Sequence, residues 1–233
     1  MIPIRDDNPT RRFPLVTAAL LVANAAVFAY EVSLPDAEFV AFLNTWALTP
    51  ARLAAEPFSP AVLITLVTAM FLHGGWLHLG GNMLYLWIFG NNVEDTLGRL
   101  KFLAFYLATG VIATLAHVVV SGPSEVPLVG ASGAIAGILA AYLLLFPKAH
   151  VLVLIPVFFI IELARVPATF VIGFWFVLQL VQGIGSISPA GSGGVAWWAH
   201  IGGFAAGLLL TLPAWLARRR LEKRRKTRFT TWR

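Results

Sequence analysis

Charge is nearly absent from long stretches of this chain, and that absence leaves the backbone few ways to fold. Six apolar stretches lie near 14–30, 74–91, 100–120, 128–147, 167–183 and 195–216. Each is about 20 residues long, the length a helix needs to cross the hydrocarbon core of a bilayer. Lipid offers backbone groups no hydrogen bonds, so such segments must satisfy their own, and a helix does so within one segment. With 58% hydrophobic residues, 12% charged residues and a mean hydropathy of +0.80, too little polar surface remains to wrap a soluble globule. The expected architecture is an all-α membrane protein, a bundle of six transmembrane helices.

Two shorter apolar runs, 61–72 and 151–161, need separate treatment. The second is short, contains Pro156, and reads as an interfacial connector. The basic residues support that reading. With six spans, 16 of the 17 Lys and Arg residues fall on the side of the termini, nine of them in the tail after Leu216, and only Arg52 falls outside. The positive-inside rule then makes both termini cytoplasmic. The expected organisation is a cytoplasmic segment 1–13, a membrane domain 14–216 and a basic tail 217–233. That tail accounts for the net charge of +6 and the pI near 10.2, as an anchor facing anionic lipid and not as a nucleic-acid site. The N-terminal stretch MIPIRDDNPTRRFP carries Asp6 and Asp7, which suits neither a signal peptide nor a transit peptide. A prokaryotic cytoplasmic (inner) membrane is therefore the expected location.

The chain has no cysteine, which removes thiol nucleophiles and thiolate metal sites. Chemistry must come from Ser, His, Asn, Tyr or carboxylates. The second, fourth and sixth spans run in the same direction, so residues early in each share a layer near the outer leaflet. His78 and Asn82, four apart on one helical face, lie early in the second, Ser132 early in the fourth, and His200 early in the sixth. Polar groups at that depth are costly unless partnered or facing a water-filled cavity. Each also has a packing reading: His78 and Asn82 as interhelical glue, and Ser132 and His200 as parts of small-xxx-small stripes with Gly133, Gly137, Gly203 and Gly207.

Taken together, these groups meet the separate demands of acyl transfer. A serine hydroxyl needs a base to take its proton, and His200 is the base within topological reach of Ser132. A tetrahedral intermediate needs donors for its oxyanion, and Asn82, His78 and the Ser132 backbone N–H can supply them. Gly130 and Gly133 would leave room for a substrate backbone beside the serine. No acidic third member is evident. Glu94, Asp95 and Glu162 lie on the inner side and Glu125 lies in a loop, so a Ser–His dyad is expected.

The segments FLHGGWLHLGGNMLYLWIFGNNVEDTLG, GASGAIAG and AHIGGFAAG, in that order and on those spans, resemble the rhomboid family of intramembrane serine proteases. The resemblance implies Ser132 as nucleophile, His200 as general base, and His78 and Asn82 as oxyanion stabilisers. It also implies cleavage within or near transmembrane helices of other membrane proteins, with neither metal nor organic cofactor. Two departures stand out. Ala136 occupies a position where some members carry a Tyr that packs on the catalytic histidine, and Trp46 and Arg52 are separated where some carry a Trp-Arg pair. The alternative function is a proteolytically silent relative that binds transmembrane clients.

Overall fold

A computed structural model describes residues 1–157, 160–186 and 195–230. Residues 187–194, most of the last expected outer loop, and the end of the basic tail at 231–233 lie outside the described residues. The first long helix, α1, spans Leu15–Glu31. Its opening N–H groups have no acceptor within the helix. The Glu94 carboxylate supplies one, accepting from Val16 N at 3.0 Å, Thr17 N at 2.7 Å and the Thr17 hydroxyl at 2.8 Å. A buried negative charge at a helix N-terminus is favoured by the helix dipole, so Glu94 is a cap and not an acid for catalysis.

The segment that follows is a folded subdomain of short helices: α2 (Asp36–Trp46), α3 (Pro50–Ala55), α4 (Pro60–Leu63), α5 (Thr65–Thr68) and a 3₁₀ turn at Ala69–Phe71. Pro50 and Pro60 open their helices where the missing N–H costs nothing. Leu48, Leu53, Val62, Leu66 and Ala69 form a small core of their own. The 60–71 stretch then meets α6 (Trp76–Leu97) at an angle of 81°. Gly98, at φ +80°, turns the chain sharply into α7 (Arg99–Ser121).

Next comes α8, Ser132–Leu145, which is buried almost all round. The helix in the expected span 128–147 therefore starts late: Leu48 and Leu128 exchange both backbone hydrogen bonds, at 3.3 and 2.7 Å, which holds the chain out of the helix ahead of Ser132. Fourteen helical residues rise only about 21 Å, short of the roughly 30 Å hydrocarbon thickness. The helix of the nucleophile candidate is thus the shortest of the long helices. Helices α9 (Ala168–Gly185) and α10 (Trp197–Thr230) complete the set, and α10 packs most extensively on α8.

The chain is mostly helical, but it is not all-α. Strands β1 (Ile2–Asp6), β2 (His150–Val157) and β3 (Ile160–Pro167) form an antiparallel sheet in the order β1-β2-β3. The 151–161 run, expected as an interfacial connector, is a β-hairpin. Its side chains alternate as a strand requires: the β-branched Val151 and Val153 are buried, while Leu152 and Leu154 are partly exposed. Three helices, Arg99–Ser121, Ala168–Gly185 and Trp197–Arg220, are long and apolar enough to cross a membrane by themselves, and the bent pair at 60–97 makes a fourth if counted as one span. Leu15–Glu31 and Ser132–Leu145 are apolar but shorter. Exposed Leu100, Val119, Phe170, Val181 and Leu209 give α7, α9 and α10 the apolar outer surface that lipid contact demands.

The sheet is tied to the C-terminal end of α8, where the Tyr142 hydroxyl donates to Asp6 at 2.6 Å. Burial holds the Asp6 carboxyl above its ordinary value, and the Tyr142 bond acts in the opposite direction. The folded chain then holds that proton more tightly than the unfolded chain. The Asp6 contribution to stability is full below about pH 4 and is lost as pH rises through the elevated folded value. Asp6→Asn should accordingly flatten the fall in unfolding temperature on the alkaline side of about pH 4. Thermal unfolding of the detergent-solubilised protein across a pH series checks this, and parallel curves for the two proteins would contradict it.

Candidate active site

The backbone leading to Ser132 is pinned from the short-helix subdomain. Ala51 N donates to Ser124 O at 3.0 Å, the Leu48–Leu128 bridge follows, and Gly130 N donates to Ala69 O at 2.9 Å. Gly130 sits at φ +119°, and a Cβ there would lie 2.7 Å from Cε1 and Nε2 of His78 and 3.6 Å from Asn82 Nδ2. Any larger residue would push the His78 ring out of place, quite apart from the backbone strain. Gly130 therefore brings the chain before Ser132 directly against the two side chains expected to hold an oxyanion.

Ser132 is the first residue of α8, so its N–H has no acceptor within the helix. Its Oγ lies 2.7 Å from Nε2 of His200, across the α8–α10 contact. That contact is unusually close. A Cβ at Gly203 would run into the carbonyl oxygen of Gly133, and one at Gly207 into that of Gly137. A Cβ at Gly133 would meet the Cβ of Ala113 on α7 at 2.6 Å. The small-residue stripes thus act as packing surfaces. They also set the distance between the serine and the histidine, so the packing and chemical readings converge.

His78 accepts a hydrogen bond at Nδ1 from Gly74 N at 3.3 Å, which leaves Nε2 as the N–H-bearing atom. The Asn82 amide nitrogen is buried and has no hydrogen-bond partner among the described residues. An orphaned buried donor is costly and calls for an explanation. A cavity of about 730 Å³ brings His78, Asn82, Ser132 and His200 together, with Trp175 and His117 also in its wall. His117 on α7 thus faces the same space. Among the described residues no group of three His, Asp or Glu side chains is arranged to hold a metal ion.

The other histidines and Glu125 lie elsewhere. His73 holds the turn before α6, its N–H directed at both Glu31 carboxylate oxygens at 3.2 and 3.3 Å and its ring edge-on to His78 at 5.1 Å. His150 lies in β2 with Nδ1 3.7 Å from Asp7. Glu125 is exposed in its loop. The group at Nδ1 of His200 is instead Gln179 on α9, whose Oε1 lies 2.6 Å away. Sequence reasoning missed it, although a lone glutamine deep in the apolar stretch FVLQLV carries the same depth signal as Ser132. Ala136 is fully buried, and the rings near His200 belong to Trp175 at 5.8 Å and Trp197 at 6.1 Å between centroids. In the short-helix subdomain, Arg52 reaches the Asn44 carbonyl at 3.2 Å and the Thr68 hydroxyl reaches that of Trp46 at 2.7 Å, two separate ties in place of a Trp-Arg pair.

A family model described as "Rhomboid domain" matches residues 60–217, from α4 to the end of the apolar part of α10. The yeast Saccharomyces cerevisiae protein "Rhomboid protein 1, mitochondrial" is 30% identical over 179 residues, covering 71% of this chain and 45% of its own length. "Presenilin-associated rhomboid-like protein A, mitochondrial" of Danio rerio is 37% identical over 106 residues, 44% of this chain and 28% of that protein. "Rhomboid-like protein 11, chloroplastic" of Arabidopsis thaliana is 45% identical over 74 residues, 32% of this chain and 26% of that protein. The chain spans less than half the length of these relatives. They are organellar proteins of eukaryotes, and they overturn the expectation of a prokaryotic cell membrane.

Proposed function

The chain belongs to the rhomboid family, and from that premise we propose that it is an intramembrane serine endopeptidase acting on transmembrane helices of other membrane proteins. The observation that carries the reading is the 2.7 Å contact between Ser132 Oγ and His200 Nε2, beside a buried Asn82 amide with no partner. In this proposal the six apolar helices all cross the bilayer. The termini share the face that bears 16 of the 17 basic residues.

The chemistry follows from the donors and acceptors. His200 Nε2 takes the Ser132 proton as Oγ attacks the scissile carbonyl carbon. The carbonyl oxygen becomes an oxyanion, met by Asn82 Nδ2, His78 Nε2–H and the Ser132 backbone N–H. Collapse of this intermediate breaks the C–N bond, and the leaving amine takes its proton from the His200 imidazolium. Water then attacks the acyl-enzyme with His200 again as base, releasing the acid and restoring the serine. A peptide bond inside a helix has its carbonyl hydrogen-bonded and shielded, so the substrate must unwind locally before attack. Weak helix formers such as glycine at the cut lower that cost.

The test is covalent labelling of the purified protein with a fluorescent fluorophosphonate. Wild type and the exposed-site control Ser33→Ala should label, and Ser132→Ala and His200→Ala should not. Absence of label in wild type, with transmembrane proteins still bound, would favour a client-binding protein without protease activity. For the oxyanion donor, Asn82→Ala should lower kcat by about 100- to 1,000-fold with little change in KM. Steady-state cleavage kinetics check it, and an equal fall in kcat/KM through KM alone would remove Asn82 from the oxyanion role.

A further inference from the structure

The hydrogen bonding around His200 does not stop at the serine. Gln179 is buried on α9, with its amide nitrogen donating to the Trp175 carbonyl one turn earlier at 3.2 Å. That bond fixes which way the amide faces. A flipped amide would set Oε1 against the Trp175 carbonyl, two acceptors in contact, and would turn the NH₂ toward His200. With the amide as it stands, Oε1 meets His200 Nδ1 at 2.6 Å. An amide oxygen can only accept, so Nδ1 must carry the hydrogen. In the neutral ring Nε2 then holds the lone pair, and Nε2 is the atom 2.7 Å from Ser132 Oγ.

We propose that Gln179 is the positioning residue of this site, completing a Ser132–His200–Gln179 hydrogen-bond chain that sets the His200 tautomer and ring orientation from a third helix. The inference rests on the protease reading for its catalytic meaning, though the tautomer stands without it. A carboxylate would hold the tautomer too, but burying an isolated charge here is costly, whereas a neutral amide gives the same direction to the hydrogen. Helix α9 supplies a second restraint as well, because the Trp175 ring lies 5.8 Å from that of His200. The buried Ala136 on α8 offers no ring of its own.

Gln179→Leu should lower both kcat and the rate of fluorophosphonate labelling by about 10- to 100-fold, with KM little changed, because an Nδ1–H is left unpaired. Gln179→Glu should retain activity but move the acid limb of the kcat/KM profile to higher pH, since a carboxylate at that distance stabilises the imidazolium. A role in packing alone would move neither the limb nor the kcat-to-KM split. Wild-type rates in Gln179→Leu, or an unmoved acid limb in Gln179→Glu, would overturn the proposal. Nitrogen-15 NMR of histidine-labelled wild-type protein, with the His200 signal assigned by its loss in His200→Ala, reads the tautomer without any activity. A protonated Nδ1 that is lost as the dominant form in Gln179→Leu supports the proposal, and a protonated Nε2 in wild type overturns it. A wild type that fails to label while showing the Nδ1–H tautomer would overturn the protease reading and leave the positioning role of Gln179 intact.

Discussion

Alanine at Ser132 or at His200 will lower the rate of peptide-bond cleavage by about 10⁴- to 10⁶-fold, and the double variant will be no slower than the worse single one. The non-additivity is the informative part. The two side chains share one hydrogen bond of 2.7 Å, and neither does the chemistry of the other. Once the hydroxyl is gone the base has no proton to take, and without the base the hydroxyl remains a weak nucleophile. In the proposed mechanism, what residual rate survives comes from Asn82, His78 and the backbone N–H, which need neither partner. Stability should fall by only about 1 kcal/mol in Ser132→Ala, the usual net worth of the one hydrogen bond it loses, and by more in His200→Ala, which loses a buried ring and a second hydrogen bond to Gln179. Cleavage kinetics alongside thermal unfolding of all three variants check this, and independent, multiplying losses would show that the pair does not work as a unit.

Gly203→Val should be the most damaging change outside the polar groups. Its Cβ would collide with the Gly133 carbonyl oxygen and come within 3.2 Å of the Ala113 Cβ, so backbone on α8 and a packed methyl on α7 both resist. Side chains can turn away from an intruder, but backbone cannot. Overpacking of this kind costs about 3 kcal/mol or more. The functional loss follows from position, because His200 lies one turn before Gly203 and Ser132 is next to Gly133. Parting α10 from α8 by about 1 Å at this level costs roughly 100-fold in rate. Gly173→Ala on α9 is the matched control. Nothing lies within 4 Å of its added Cβ, so it should be neutral or stabilise by about 1 kcal/mol. Unfolding temperature and cleavage rate measured together decide this, and a Gly203→Val protein with wild-type values would mean that the close approach is not needed.

Some parts of this molecule are legible in its sequence, for physical reasons. Apolar length is a strong signal, so each of the six apolar stretches overlaps a helix, although α6 runs on past its stretch through Glu94 and Asp95 and α10 runs on through basic residues to Thr230. The depth argument brought His78, Asn82, Ser132 and His200 to one layer, and the described side chains do line one cavity. The β-hairpin was hidden because an apolar run reads alike as buried strand or broken helix until its partner is known, and that partner, Ile2–Asp6, lies about 150 residues away. The late start of α8 was equally hidden, since Leu128 and Val129 are as apolar as the helix that follows, and only the distant bridge to Leu48 holds them out of it. Gln179 was hidden because a neutral amide carries no charge to mark it as a partner for His200, and only the packing of α9 on α10 brings it to Nδ1. The expected location failed for a different reason: the chemistry of a span does not say which membrane surrounds it.

The central claim meets its most direct test in a bilayer. The wild-type protein is reconstituted in lipid vesicles with a single-pass membrane protein whose transmembrane segment contains glycine near one end, and the products are sized by mass spectrometry. The account predicts a single peptide-bond cut in or at the edge of that segment, with the substrate left whole by Ser132→Ala. Wild type that holds the substrate in complex and leaves it whole, under conditions where an active relative cuts it, would contradict the account.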